Sequence, residues 1–136
     1  MVTAWQDILK AGKNIAVVGL SKNPWRASHG VASCLQFVGF RIVPVNPVLQ
    51  GPFLGEDPHP SWSDLAEAGE VIDVFRNEGE LPGRVQEILA LLWKPRLVWF
   101  QLGLLPKPED RSALEIAGIQ VVENRCLQVD HTRFLA

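Results

Sequence analysis

Residues 14–38 constrain the fold of this chain more than any other stretch, because they join three patterns in a fixed order. A uniformly apolar run at 15–18 suits a short strand buried on both faces, and Gly19 ends it. A polar loop follows, and Ser28 then stands where a helix N-cap is expected. Apolar side chains return at the helical spacing i, i+3, i+4, i+7: Val31, Cys34, Leu35 and Val38. We predict a strand, a glycine turn and a helix, an order that directs backbone N–H groups and a helix N-terminus at one spot suited to a phosphate.

Short apolar runs alternate with helical patterns along the rest of the chain. Further strands are predicted at 41–45, 71–75, 97–100 and 119–122. Helices are predicted at 3–11, 61–69, 85–92 and 109–117, whereas the polar tail from 123 to 136 is predicted to be loop with a weak helical turn. The 136 residues fit one domain. The alternation predicts an α/β fold, with a five-stranded parallel sheet and helices on both faces.

Composition excludes several classes of function. The net charge is −2 and no basic run occurs, so the chain lacks the electrostatic footprint of a nucleic-acid-binding protein. No apolar segment approaches the ~20 residues that a membrane-spanning helix needs. The N-terminus has neither the basic nor the apolar region of a signal peptide, and the two cysteines are read as free thiols. We therefore expect a cytoplasmic protein with a small-molecule ligand.

The carboxyl ends of parallel strands meet at one edge of a sheet, where a ligand is expected. The first of these ends, at Gly19, is not the usual dinucleotide fingerprint, since Ser21 stands where G-x-G-x-x-G needs its second glycine. Lys22 and Arg26 place two cations near the predicted helix N-terminus. Two cations suit a ligand with more phosphate charge than one pyrophosphate, although each alone is also typical of a solvated loop.

The second strand end discriminates between nucleotide classes. A site for NAD usually carries Asp or Glu at this point to hold the ribose hydroxyls, but the chain has Asn46 and Pro47. Asn46 could bond a ribose or an adenine edge, and Pro47 gives a rigid apolar wall. Phe75, at the third strand end, could supply a second wall or be an ordinary core aromatic. The missing acid counts against NAD.

Five motifs in this order give the chain a family resemblance: Val17-Val-Gly-Leu-Ser-Lys22, Val43-Pro-Val-Asn-Pro47, Val71-Ile-Asp-Val-Phe-Arg76, Val98-Trp-Phe-Gln-Leu-Gly103 and Asn124-Arg-Cys126. Together they resemble the small stand-alone CoA-binding proteins, which are similar to the CoA-binding domain of the succinyl-CoA synthetase α subunit. The resemblance covers roughly residues 3–132 and implies a Rossmann-like domain. With the length of the chain, it predicts a single CoA-binding domain over residues 1–136.

The resemblance also implies where coenzyme A would lie. Its phosphates would be cradled by the loop of Gly19, Leu20, Ser21 and Lys22. The adenosine would lie near Asn46 and Pro47 on one side and near Val74, Phe75 and Arg76 on the other. The pantetheine arm would run toward Gln101 and Gly103.

The chain departs from the synthetase pattern in two ways. It has no lysine shortly after Asn46 and Pro47, so a contact to the 3′-phosphate must come from Arg26, Lys22 or Arg76, or be missing. The synthetase's second domain, with its phosphorylated histidine, and its separate nucleotide-binding subunit do not fit into 136 residues. The resemblance therefore implies the binding step without the ligase chemistry.

A catalytic or metal centre is not predicted, because the two cysteines and three histidines are not clustered at metal-ligand spacing. Cys126 follows the last strand beside Arg125, a cation that would favour its thiolate, so we hypothesise that it exchanges with the CoA thiol. Cys34 is predicted to be a core residue.

We conclude from the sequence that the chain binds coenzyme A or an acyl-CoA through a phosphate loop without catalysing a reaction. Three alternatives stay open: an NAD(P)-type oxidoreductase, a subunit of an acyl-CoA ligase, and an interaction module without a ligand. A homodimer or an unknown protein partner is also compatible with the sequence.

Overall fold

The computed structural model describes residues 5–11, 14–20, 23, 25–46, 51–52, 54–57, 71–91 and 93–134. The helices are α1 (Trp5–Ala11), α2 (Ala27–Phe37), α3 (Leu81–Leu89), α4 (Pro108–Ile116) and α5 (Leu127–Phe134). The strands are β1 (Asn14–Val18), β2 (Arg41–Val45), β3 (Val71–Val74), β4 (Leu97–Phe100) and β5 (Gln120–Val122), and a short 3₁₀ helix, Glu78–Glu80, precedes α3. The helix predicted at 61–69 lies outside the described residues.

The five strands form one sheet in the order β2-β1-β3-β4-β5, and every neighbouring pair is parallel. The predicted parallel sheet is therefore confirmed. The chain moves from β1 outward to β2 and then returns past β1 to β3, so the direction of winding reverses beside β1. In open α/β sheets this reversal creates a crevice at the carboxyl ends of the strands.

Helices cover both faces of the sheet, as predicted, because successive strand residues point to opposite sides. One apolar core joins the sheet to α3 and α4 and includes Val18, Ile72, Val85, Ile88 and Leu114. The other core joins it to α1, α2 and α5 and includes Ile8, Val17, Leu35, Trp99 and Leu127. This arrangement, a parallel sheet between two helical layers, is a Rossmann-like α/β fold.

The tail is the element that the sequence pattern predicted wrongly. Residues 127–134 form α5 rather than loop with a weak turn. The helix is anchored by Leu127, which is fully buried, and by Phe134, whose ring meets the Trp5 ring edge-on at 5.8 Å. Few apolar residues occur in this segment, so its helical pattern is weak although its tertiary contacts hold it.

Two predicted details of α2 are also wrong. The N-cap is Arg26, whereas Ser28 lies in the first helical turn and is buried. Cys34 is exposed, because the side of the helix that packs on the sheet carries Val31, Ala32 and Leu35. Pro108 lies in the first turn of α4, one residue before the predicted start of that helix. No helix among the described residues is long and apolar enough to cross a membrane.

Candidate functional site

The end of β1 lies between the ends of its two neighbours, and Gly19 makes this close approach possible. The Gly19 N–H donates to the Val45 carbonyl oxygen at 2.8 Å, and the Phe75 N–H donates to the Val18 carbonyl oxygen at 2.8 Å. A Cβ atom at Gly19 would lie 2.0 Å from the Phe75 carbonyl oxygen, and the φ angle is +88°. Only glycine fits here. The chain can therefore leave β1 and turn toward α2 while the end of β1 stays hydrogen-bonded to the ends of both β2 and β3.

A cleft of about 750 Å³ opens beside Gly19 at the carboxyl edge of the sheet. Its walls come from the first turn of α2, from the segments after β3 and β4, and from the segment before α5. It brings together residues that the sequence analysis assigned to a ligand: Gly19, Arg26, Phe75, Arg76, Gln101 and Cys126. The ends of β1, β3 and β4 and the segment after β5 therefore converge on one cavity.

The wall formed by α2 presents the start of a helix to the cleft. Arg26 caps the helix through its backbone, and its exposed side chain makes no capping hydrogen bond. Ala27 and Ser28, in the first helical turn, also line the cleft. A helix N-terminus carries a partial positive charge and N–H groups without intrahelical acceptors. This wall is therefore suited to an anion.

Arg76 adds a second cation beside the glycine turn. Its Cδ atom lies 3.4 Å from the place where a Cβ of Gly19 would be, so its aliphatic stem packs against the turn. Its Nε is buried and has no hydrogen-bond partner among the residues that the structure describes. A buried N–H donor without an acceptor is costly, and a phosphate oxygen is an acceptor that matches a guanidinium group. Glu80 also lines the cleft, so this part of the lining carries both signs of charge.

Phe75 combines the two roles that the sequence left open. Its half-buried side chain packs against the core formed with α1, α2 and α5, and it also lines the cleft. The ring is therefore partly a core residue and partly an apolar wall of the cleft.

Gln101 closes the cleft at the end of β4 and is tied to a buried acid that the sequence analysis missed. The Gln101 side-chain Nε2 donates to Oδ1 of Asp73 at 2.8 Å, across 28 residues of sequence. Burial raises the pKa of the Asp73 carboxyl to about 8, and the hydrogen bond from Gln101 lowers it by a smaller amount. Asp73 is therefore predominantly protonated at neutral pH. The available signal was an acid within an otherwise apolar strand, Val-Ile-Asp-Val.

Four other predicted site residues lie outside the described lining of the cleft. Leu20 and Val74 are buried in the core, so only their backbone could reach a ligand. The Asn46 side chain donates from Nδ2 to the Leu20 carbonyl oxygen at 2.9 Å, which ties the end of β2 to the glycine turn. The Gly103 N–H donates to Oδ1 of Asn124 at 2.7 Å. Ser21, Lys22 and Pro47, which were also predicted for the site, lie outside the described residues.

Cys126 is half-buried and lines the cleft, as its position after β5 predicted. Its sequence neighbour Arg125 is engaged elsewhere. Arg125 Nε lies 2.6 Å from Oδ2 of Asp130, an ion pair whose angles are not those of a hydrogen bond, and the guanidinium lies 6.0 Å from the centre of the Trp5 ring. The argument that Arg125 activates the thiol is therefore not supported by this geometry.

Two of the three histidines lie within the described residues, and they belong to different helices. His29 lies in the first turn of α2, and His131 in α5 meets the Phe40 ring edge-on at 5.5 Å. Within the described ranges, no group of three or more His, Cys, Asp or Glu side chains is placed to hold a metal ion.

Comparisons with known proteins place this architecture among proteins of similar size. Residues 13–132 match the family model described as "CoA binding domain". The Bacillus subtilis (strain 168) protein named "Uncharacterized protein YneT" is 35% identical over 126 residues, which cover 93% of this chain and 90% of that protein.

Two solved structures superpose on nearly the whole of this chain. The Thermus thermophilus protein called cell-free ID.343 superposes with a TM-score of 0.86 at 43% identity, and the match covers 94% of both chains. A hypothetical protein from Pyrococcus horikoshii OT3 superposes with a TM-score of 0.85 at 31% identity, over 96% of this chain and 89% of that one.

Proposed function

Since this chain belongs to the CoA binding domain family, we propose that its cleft binds coenzyme A or an acyl-CoA and does so without catalysing a reaction. The observation that carries the proposal is the buried Nε of Arg76, which has no acceptor among the described residues. Arg76 lines the same cleft as the first turn of α2. Phosphate oxygens would supply that acceptor.

The phosphates would lie between the glycine turn and the first turn of α2. The turn allows a close approach of the backbone, and the helix N-terminus favours negative charge. Ser21 and Lys22 continue this turn in sequence and would complete a phosphate loop. The synthetase domain has a lysine shortly after the position that corresponds to Asn46 and Pro47, and this chain has no cation there. We therefore assign the contact to the 3′-phosphate to Arg76 or Arg26.

The rest of the ligand would follow the cleft toward β4. The ring of Phe75 gives an apolar surface for the adenine, and Asn46 would support the loop through its bond to Leu20. The arm would pass Gln101 and end near Cys126. Apolar side chains at this end could also contact an acyl group: Val31, Leu102 and Leu104.

Isothermal titration calorimetry with four ligands tests the proposal: CoA, dephospho-CoA, NAD and ATP. We expect CoA to bind and dephospho-CoA to bind more weakly, because only CoA carries the 3′-phosphate. Binding of NAD but not CoA would overturn the proposal in favour of a nicotinamide enzyme. Absence of binding by all four ligands would favour the interaction module.

Arg76→Gln tests the observation itself. A hydrogen bond to a charged group contributes ~1.5–3 kcal/mol, so the variant should bind CoA about 10- to 100-fold more weakly. Arg96→Gln is the matched control, because Arg96 is exposed and precedes β4, at the amino edge of the sheet. An equal effect of both substitutions would show that overall charge, rather than Arg76, attracts the ligand.

A further inference from the structure

Asp73 is an acid at an unusual place, since it lies inside the central strand of a sheet that is covered on both faces. Its strand neighbours in register are Val17 and Trp99, and it is 0% exposed. An apolar residue at this position would avoid the cost of burying a carboxyl group. The Oδ2 atom has no hydrogen-bond partner among the described residues, which adds to that cost. The carboxyl group therefore calls for an explanation other than stability.

The contact that Asp73 makes leads to the cleft. Gln101 is 4% exposed and lines the cleft, and its amide nitrogen is turned to Asp73. The Gln101 backbone is also fixed, because its N–H donates to the Val74 carbonyl oxygen at 3.4 Å and its carbonyl oxygen accepts from the Leu104 N–H at 2.9 Å. With the backbone held, the orientation of the Gln101 amide depends on Asp73.

We propose that Asp73 is a positioning residue for ligand binding: it holds the amide nitrogen of Gln101, so that the amide oxygen of Gln101 accepts a hydrogen bond from an N–H of the ligand's arm. The ligand class is one with a secondary amide beyond its phosphates, as in the pantetheine arm of CoA. This inference rests on the proposed function, and it assigns a role in ligand binding to a residue that does not line the cleft.

A carboxyl group suits this role because of its hydrogen-bonding chemistry. A side-chain amide has a donor end and an acceptor end, and the two ends exchange on a 180° rotation. In the structure Oδ1 of Asp73 accepts from Nε2, so the amide is held with its nitrogen inward. An apolar residue in place of Asp73 would leave both orientations of Gln101 unsupported and one amide end buried without a partner.

Binding of CoA and of a fragment without the pantetheine arm separates positioning from general damage. The probes are CoA and adenosine 3′,5′-bisphosphate, which keeps the adenosine, the 3′-phosphate and one of the two 5′-phosphates but has no pantetheine arm. We expect Asp73→Leu to weaken CoA binding about tenfold, the upper range for one hydrogen bond, and to leave binding of the bisphosphate unchanged. Asp73→Asn, which keeps a neutral acceptor, should bind CoA within about threefold of the wild type.

Two further measurements keep the inference testable if Asp73→Leu does not fold. Gln101→Leu should show the same loss that is specific to CoA. In ¹⁵N-labelled wild-type protein, the side-chain amide signal of Gln101, assigned by its absence in Gln101→Leu, should shift with CoA and not with the bisphosphate.

The possible failures are distinguishable. If wild-type protein binds neither probe, the proposed function fails. If it binds both, but Asp73→Leu weakens both equally or neither, the positioning role is overturned while the proposed function stands. An unshifted Gln101 signal in the presence of saturating CoA would overturn it as well.

Discussion

The protonation of Asp73 makes a quantitative prediction about stability. Burial raises the pKa of its carboxyl from an ordinary 3.8 to about 8, so between these values the folded chain binds a proton that the unfolded chain has released. The stabilisation that comes from this bound proton is complete below pH 3.8 and is lost as the pH rises toward 8. Relative to Asp73→Asn, which cannot ionise, the wild type should lose ~1.4 kcal/mol per pH unit in this window.

The expected difference is large on the scale of protein stability. Between pH 5 and pH 7 the free energy of unfolding of the wild type should fall by roughly 3 kcal/mol relative to Asp73→Asn, against ~5–15 kcal/mol for a typical domain. The wild type and Asp73→Asn should have similar stability near pH 4, where the side chain at position 73 is neutral in both folded proteins. The difference in the free energy of unfolding should level off above pH 8.

Urea unfolding curves at half-unit pH intervals from 4 to 9 measure this difference directly. Asp57→Asn serves as the control, since it removes a carboxylate that is exposed. A constant difference between the wild type and Asp73→Asn over pH 5–8 would refute the reasoning. So would a wild type that gains stability relative to Asp73→Asn as the pH rises, because Asp73 would then be ionised in the folded protein.

Two further predictions concern the glycine turn and the cleft. Gly19→Ala and Gly118→Ala both place a side chain at φ +88°, but only the new Cβ at position 19 meets a backbone atom. Urea unfolding should therefore show a loss of about 1–3 kcal/mol for Gly118→Ala from backbone strain and a clearly greater loss for Gly19→Ala; equal losses would contradict the close approach to β3. Saturating CoA should slow alkylation of Cys126, which lines the cleft, at least about fivefold and leave alkylation of the exposed Cys34 unchanged, as measured by mass spectrometry of peptides. Equal protection of both thiols, or of neither, would contradict a ligand in the cleft.

The strands and the cleft could be predicted from the sequence because both depend on local signals. The strands are short, mainly apolar runs, and four of the five are followed directly by a glycine or a polar residue. Strands in a parallel sheet bring such ends together. Gly19 is the clearest case, since the turn that it was expected to make is the one that lets Phe75 approach. Gly19 and five other predicted residues line one cavity for the same reason.

The errors arise where tertiary contacts outweigh local pattern. The helix α5 has few apolar residues, and its place is determined by partners far away in sequence, such as the Trp5 ring against Phe134. The rotation of α2 that exposes Cys34 depends on how Val31 and Leu35 pack on the sheet. Neither contact can be predicted from the sequence of its own segment, because the partner lies elsewhere in the chain.

Asp73 was missed for a similar reason. An acid in an apolar run is visible in the sequence, but its partner Gln101 lies 28 residues away and becomes a neighbour only through the pairing of β3 with β4. The pairing of Arg125 with Asp130 likewise decides whether a cation faces the Cys126 thiol, and sequence adjacency alone suggested the opposite.

The central claim is that coenzyme A lies in the cleft at the carboxyl edge of the sheet, and a crystal structure of the protein with CoA tests it most directly. We predict CoA phosphate oxygens within hydrogen-bond distance of the Arg76 guanidinium and an amide N–H of the arm at the Gln101 side chain. CoA bound elsewhere on the surface, with Arg76 and the first turn of α2 making no contact to it, would contradict the account.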